Sequence, residues 1–84
     1  MKKIEIKMPA LKSDGGPIML CRWGAQPGDR VETGDVLFEA EAAKTVSEIE
    51  AYAPMRLTAL LCEEGDEVEP GTVIATAEVE AETE

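Results

Sequence analysis

Few side chains of this 84-residue chain could do covalent chemistry. It has no histidine, which removes the commonest general base, the usual catalytic triads and the commonest metal ligand. Its two cysteines, Cys21 and Cys62, lie far apart and form neither a C-x-x-C pair nor a disulfide framework. They read as small core or strand residues in a reducing compartment, with one bridge between them as the alternative. That leaves lysine, and above all Lys44 in "EAEAAKTVSEIEA", residues 39–51. A lysine amine is a nucleophile once deprotonated, although at an ordinary pKa of about 10.4 it is mostly protonated. A modifying enzyme can supply both a base and an activated acyl group. The acceptor then needs only exposure and a fixed position.

Whether Lys44 has either depends on the element that carries it. Ala, Glu and Lys favour helix, and Phe38, Ala42, Thr45, Ile49 and Tyr52 form a stripe at near-helical spacing. A hairpin fits as well. Phe38, Ala40 and Ala42 alternate with Glu39 and Glu41. Thr45, Ser47, Ile49 and Ala51 then alternate with Val46, Glu48 and Glu50, and the period of two breaks only at Ala43-Lys44. On a helix Lys44 is one surface lysine among several; on a hairpin it stands alone at the tip.

An internal repeat decides between them. "GDRVETGDVLFEAE" from Gly28 and "GDEVEPGTVIATAE" from Gly65 align without a gap; eight of the fourteen positions are identical and a ninth exchanges Leu for Ile. Two copies are too few for a solenoid and suit a domain with pseudo-twofold symmetry. The partner of residues 36–42 is "VIATAEV", residues 73–79, whose Val, Ile and Thr alternate as a strand. Its mate is therefore predicted to be a strand, and Lys44 to sit at a hairpin tip. Gly28-Asp29 and Gly65-Asp66 mark tight turns, and Gly34 and Gly71 mark second ones. "KIEIKMP", "IMLCRW" and "RLTALLCE" read as further strands and "KSDGGP" as a loop. The expectation is an all-β domain of eight short strands, with Val31, Val36, Leu37, Val68, Val73 and Ile74 as symmetry-related core.

The composition suits one small domain, residues 1–79, followed by an acidic tail or start of a linker, residues 80–84. Much of the apolar content is alanine, so the core is expected to be thin. Eighteen acidic against eight basic residues give a net charge of −10, which argues against nucleic acid and anionic membranes. Neither a signal-like apolar core nor a membrane-length run is visible, and the expected location is cytoplasmic, an organelle matrix being the variant.

In "MPAL" (8–11), Trp23, "GDRVETGDVLFEAE" (28–41), "EAAK" (41–44) and "EEGDEVEPGTVIA" (63–75) the chain resembles the biotinyl/lipoyl attachment domain family. It is most similar to the lipoyl domains of 2-oxo acid dehydrogenase dihydrolipoamide acyltransferases. The resemblance implies a barrel-sandwich hybrid, a flattened β-barrel of two four-stranded sheets with pseudo-twofold symmetry. It implies that Lys44 is the acceptor of covalent lipoic acid, which then acts as a swinging arm carrying acyl groups. The partners implied are a lipoate ligase or lipoyl transferase, a thiamine-dependent 2-oxo acid dehydrogenase component, an acyltransferase core and dihydrolipoamide dehydrogenase. No catalytic site of its own is implied, although the chain could be part of an acyltransferase. The tip reads Ala43-Lys44-Thr45 where lipoyl domains commonly have Asp-Lys-Ala and biotinyl domains Met-Lys-Met. Tyr52 and Met55 stand where the family usually has a Pro and a Gly, with Pro54 between them. The missing methionines and the long segment from Pro9 to Gly28 favour lipoate over biotin. Biotin on Lys44 and an unmodified assembly module are the alternatives. Glu39, Glu41 and Glu48 read as a solvated strand face or as docking charges beside the arm.

Overall fold

A computed structural model describes residues 2–11 and 18–79; "KSDGGP" and the acidic tail lie outside them. The described residues form eight strands and no helix. The strands are β1 (Lys2–Lys7), β2 (Ile18–Trp23), β3 (Arg30–Val31), β4 (Val36–Ala42), β5 (Thr45–Glu50), β6 (Met55–Leu60), β7 (Glu67–Val68) and β8 (Val73–Val79). They make two antiparallel sheets of four, in the orders β1-β8-β6-β3 and β5-β4-β2-β7. The all-β architecture expected from the repeat and the barrel-sandwich implied by the resemblance are the observed fold.

Each half supplies strands to both sheets. The long strand β4 lies between β5 and β2, and its repeat mate β8 lies between β1 and β6. The offset between halves is 65 − 28 = 37 residues, and even the irregularities obey it. The β2–β4 register shifts between Leu20 and Arg22, and the β6–β8 register between Leu57 and Ala59. Pairing with β5 skips Leu37 of β4, and pairing with β1 skips Ile74 of β8. A bulge adds one residue and resets alternation. Leu37 and Phe38 are consequently both buried, as are Ile74 and Ala75.

Those bulges shape the core. Of the six positions expected there, Val31, Leu37, Val68 and Ile74 are buried, while Val36 and Val73 are only half-buried at the starts of their strands. The largest fully buried side chain is Phe38, followed by Met8, Ile18, Leu20, Leu57 and Ile74. Where the first half places Phe38, the second has Ala75, so the core is symmetric in backbone and lopsided in volume.

The turns are equally repetitive. Gly28, Gly34, Gly65 and Gly71 all take positive φ, between 89° and 95°, with open space where a Cβ would point. Glycine is therefore selected there by backbone angle, not by crowding. Gly28 N–H donates to Leu57 O at 2.8 Å, and Gly65 N–H donates to Leu20 O at 2.6 Å, tying each turn to a strand of the other half.

Candidate functional site: the lysine hairpin

The β4–β5 register pairs Glu41 with Val46 and Ala42 with Thr45. Only Ala43 and Lys44 connect the strands, so the hairpin has a two-residue loop. The helix reading of this segment is excluded and Lys44 stands at the tip. Both connecting residues are left-handed, with φ of 52° at Ala43 and 66° at Lys44. Positive φ at both positions characterises the type I′ turn, whose twist matches that of the flanking strands. Such turns usually use Asn-Gly or Asp-Gly. A Cβ-bearing residue pays about 1–2 kcal/mol for this region. Ala43 and Lys44 are the only non-glycine residues in it among the described ones.

The surroundings hold the turn in place. Ala42, next to the loop, is buried at 4% exposure and belongs to the core, whereas Ala43, Lys44 and Thr45 are exposed. Among the described residues Lys44 has no hydrogen bond and no ion pair, so its amine is not engaged by the fold. Leu11, Ala42, Ala43, Thr45 and Ser47 line a shallow depression beside the tip. The arrangement offers a free primary amine on a short, stiff support, which fits an amide-linked prosthetic group.

On the outer face of the same sheet, Met19 pairs with Glu41, and Glu41 with Val46, so the three form one row next to the tip. Met19 is 36% exposed and Val46 54%. The next row carries Glu39 directly opposite Glu48. Arg22 relieves that like-charge pair through a 2.8 Å contact with Glu39. The guanidinium of Arg22 is pushed up first by its hydrogen bond to Glu39 and then by that carboxylate's charge. The three glutamates singled out in the sequence thus lie on the lysine-bearing sheet, but Glu39 is engaged.

Both cysteines are free and half-buried. Burial, then Glu41 and Glu39, pushes the Cys21 thiol up; burial, then Asp66, does the same to Cys62. Raised thiols are poor nucleophiles and poor metal ligands at neutral pH. No cluster of three or more His, Cys, Asp or Glu able to hold a metal occurs among the described residues. The segment after the hairpin closes without the family's glycine: Tyr52 is 70% exposed, Met55 is 2% exposed and begins β6, and no residue from 51 to 55 needs positive φ. What the sequence could not disclose was the left-handed pair, because neither residue type favours that conformation.

Residues 4–77 match the family model described as "Biotin-requiring enzyme" for biotin and lipoyl attachment. The chain is 38% identical over 73 residues to the dihydrolipoyllysine-residue acetyltransferase component of the pyruvate dehydrogenase complex of Zymomonas mobilis, covering 86% of this chain and 17% of that protein. It is 38% identical over 72 residues to the dihydrolipoyllysine-residue succinyltransferase component of the 2-oxoglutarate dehydrogenase complex of Bacillus subtilis, again 86% of this chain and 17% of the relative. The chain therefore spans about one-sixth of these relatives. The solution structure of the lipoyl domain of the 2-oxoglutarate dehydrogenase complex from Azotobacter vinelandii superposes with a TM-score of 0.78 at 25% identity, over 89% of this chain and 95% of that one.

Proposed function

This chain belongs to the biotinyl/lipoyl attachment family, in its lipoyl-carrier branch, and we propose that Lys44 is the residue through which it carries lipoate. The observation that carries the proposal is the two-residue loop: the only residue with a nucleophilic side chain in it is Lys44, exposed and unpaired. Modification forms one bond, from Lys44 Nζ to the carbonyl carbon of an activated lipoyl group. The leaving group departs with its electron pair, and the amine's protons pass to a base on the ligase. Lipoate held on Lys44 would supply a dithiolane able to accept an acyl group and hand it on.

The chain's own contribution is mechanical and electrostatic. The paired strands β4 and β5 hold Lys44 clear of the barrel, and the buried Ala42 fixes the root of the hairpin. A tethered arm raises the local concentration of its cargo at neighbouring active sites. The relatives are components of 2-oxo acid dehydrogenase complexes. By that likeness the proposed partners are a thiamine-dependent dehydrogenase component, an acyltransferase core and dihydrolipoamide dehydrogenase, after loading by a lipoate ligase or lipoyl transferase. Catalysis belongs to them. Biotin is disfavoured because Ala43 and Thr45 stand where biotinyl domains commonly carry methionines.

The test is intact mass after incubation with lipoate and an ATP-dependent lipoate ligase, in parallel with biotin and a biotin ligase. One lipoyl group is expected on the wild-type chain and none on Lys44→Arg, since a guanidinium stays protonated and does not acylate in this way. Uptake of biotin but not lipoate would overturn the proposal. Uptake of neither, with both ligases active on control domains, would favour the assembly module.

A further inference from the structure

We propose that the side of the barrel between β1 and β5 is an interface for a second copy of this chain, with β1 of each copy pairing with β5 of the other. Among the described residues β1 and β5 end their two sheets, so each leaves one backbone edge unpaired. The other two edge strands, β3 and β7, are only two residues long. The two long edges lie side by side. A slot of about 200 Å³ runs between them, lined by Ile4, Ile6 and Pro9 on the β1 side and by Leu37, Ile49 and Tyr52 on the β5 side. Ile4 and Ile49 are only partly buried and Tyr52 is exposed, so apolar surface remains there to be covered.

The internal symmetry relates the two edges. Ile4 lies opposite Ala77 and Ser47 opposite Ala40, and 77 − 40 = 37 is the repeat offset. β1 and β5 are therefore equivalent strands that run in opposite directions, with the pseudo-twofold axis between them. A second copy can meet this side about two different twofold axes, and both give antiparallel pairing. An axis perpendicular to the sheets sets β1 on β1 and β5 on β5. An axis parallel to the strands sets β1 on β5 in both places, an isologous contact that closes as a dimer.

Charge selects the second. β1 displays Lys2, Lys3 and Lys7 with a single Glu5, whereas β5 displays Glu48 and Glu50 and no basic residue, all of them exposed. Among the described residues Lys2, Lys3, Lys7, Glu48 and Glu50 have no ion-pair partner within the chain. Like charges opposite one another across a strand pair destabilise it, and opposite charges stabilise it. Charged residues on an edge guard it against self-pairing. Here each edge is guarded against its own kind and open to the other. Two pairings of six-residue strands put the interface near the small end of specific ones, about 1,200 Å², so the dimer is weak. It fills where a tether holds copies at about millimolar effective concentration.

The choice of axis has a consequence for Lys44. Rotation about an axis parallel to the strands leaves both β4–β5 tips at the same end of the dimer, whereas the like-edge arrangement sends them to opposite ends. With strands about 4.8 Å apart and sheets about 10 Å apart, the two β5 strands lie about 11 Å from each other. Two lysine tips then face one partner together. The interface stands whether or not Lys44 is modified; only the pairing of two lipoyl arms rests on that reading.

The experiment is sedimentation equilibrium of the unmodified chain from micromolar to millimolar concentration, at physiological salt, which confines the net repulsion between copies to about 8 Å. A Kd of about 1 mM makes half the chains dimeric at that concentration, so the weight-average mass is expected to rise about 1.5-fold. Two charge-reversed variants, each shown to be folded by a dispersed amide spectrum, test the pairing. Lys3→Glu with Lys7→Glu makes both edges acidic, and Glu48→Lys with Glu50→Lys makes both basic. Each variant alone is expected to stay monomeric. Their equimolar mixture is expected to recover the rise, because both of its β1–β5 contacts are again of opposite sign; a loss through misfolding would not be restored in this way. Amine crosslinking of isotope-labelled with unlabelled wild-type copies is expected to join Lys44 to Lys44. A wild-type mass that stays monomeric at millimolar concentration would overturn the inference. So would self-association of either variant at the wild-type level, or a mixture that fails to recover it. Association without Lys44–Lys44 links would mean a like-edge or unrelated contact and would equally overturn it.

Discussion

The indole of Trp23 stands edge-on to the ring of Phe38, with centroids 5.5 Å apart and planes inclined at 61°. The two residues are direct cross-strand partners on β2 and β4. Trp23 Nε1–H donates to Cys62 O at 3.0 Å, so the indole is wedged between the ring of one half and the backbone of the other. This is the only point where large aromatics fill the interior, and it lies on the strand that ends at the lysine turn. Phe38→Ala is expected to lower stability by about 3–5 kcal/mol. Denaturant unfolding would show it as a fall in midpoint with the slope unchanged. An effect under 1 kcal/mol would mean that the Trp23–Phe38 pair is not the centre of the core.

Gly24 is a different kind of requirement. A Cβ there would run into the carbonyl oxygen of Val36, a contact with backbone that no side chain can relieve. Its N–H also donates to Leu37 O at 2.7 Å. The equivalent position in the other half is Leu61, offset by 61 − 24 = 37 and 56% exposed. Gly24→Ala should therefore cost at least about 1–3 kcal/mol, as overpacking does. Gly28→Ala has open space and bears only the positive-φ penalty, about 1–2 kcal/mol. Thermal melts of the two variants would separate crowding from backbone angle: the structure requires that Gly24→Ala melt at or below Gly28→Ala.

Three of the four glycine turns end in an aspartate that closes them. Asp29, Asp35 and Asp66 each accept, through Oδ2, the backbone N–H of the residue three before it, at 3.0, 2.9 and 2.9 Å. The fourth turn has Thr72, whose N–H bonds to Glu69 O at 3.2 Å without a side-chain bond in return. Thr72→Asn should supply the missing acceptor and raise stability by about 0.5–1.5 kcal/mol, the usual net worth of a hydrogen bond. Asparagine is preferred to aspartate because it adds no charge beside Glu69. A melting temperature that does not rise would show that the exposed Glu69 N–H is already well served by water.

Much of this architecture was legible before any coordinates. The repeat from Gly28 and Gly65 located both long strands, and alternation on either side of Ala43-Lys44 located the hairpin. Glycine followed by aspartate marked the turns, because only particular residues suit those angles. The left-handed turn at Ala43 and Lys44 was not legible, since alanine and lysine are ordinary strand-edge residues and here the flanking ladder imposes the angle. The bulges at Cys21, Leu37, Thr58 and Ile74 were hidden for a related reason. An extra residue in a strand looks like a lapse in alternation. The core was read from apolar positions that recur in both repeats, so Val36 and Val73 were assigned to it and Phe38, matched by Ala75, was not. Met8, outside every strand and 1% exposed, shows the same limit of periodicity.

The cysteines yield the last prediction. Cys21 lies on β2, and its thiol is held up first by burial and then by Glu41 and Glu39. Cys62 is held up by burial and then by Asp66. The thiolate is the reactive form, so both should alkylate slowly at neutral pH and accelerate only above the range of an ordinary thiol. The sign for a charge removal is fixed. Glu41→Gln takes away an anion that opposes the thiolate, lowers the Cys21 pKa, and so raises its alkylation rate at a given pH. Cys62, whose thiolate is opposed by Asp66 and not by Glu41, should keep its rate. Iodoacetamide labelling followed by peptide mass spectrometry across pH 7 to 10 reads both thiols in one sample, with each acting as the other's control. Acceleration of both would indicate that Glu41→Gln loosens the barrel. Acceleration of neither would mean that Glu41 does not act on Cys21. Only a rise confined to Cys21 agrees with a carboxylate on β4 acting across the sheet on β2, beside the strand that presents Lys44.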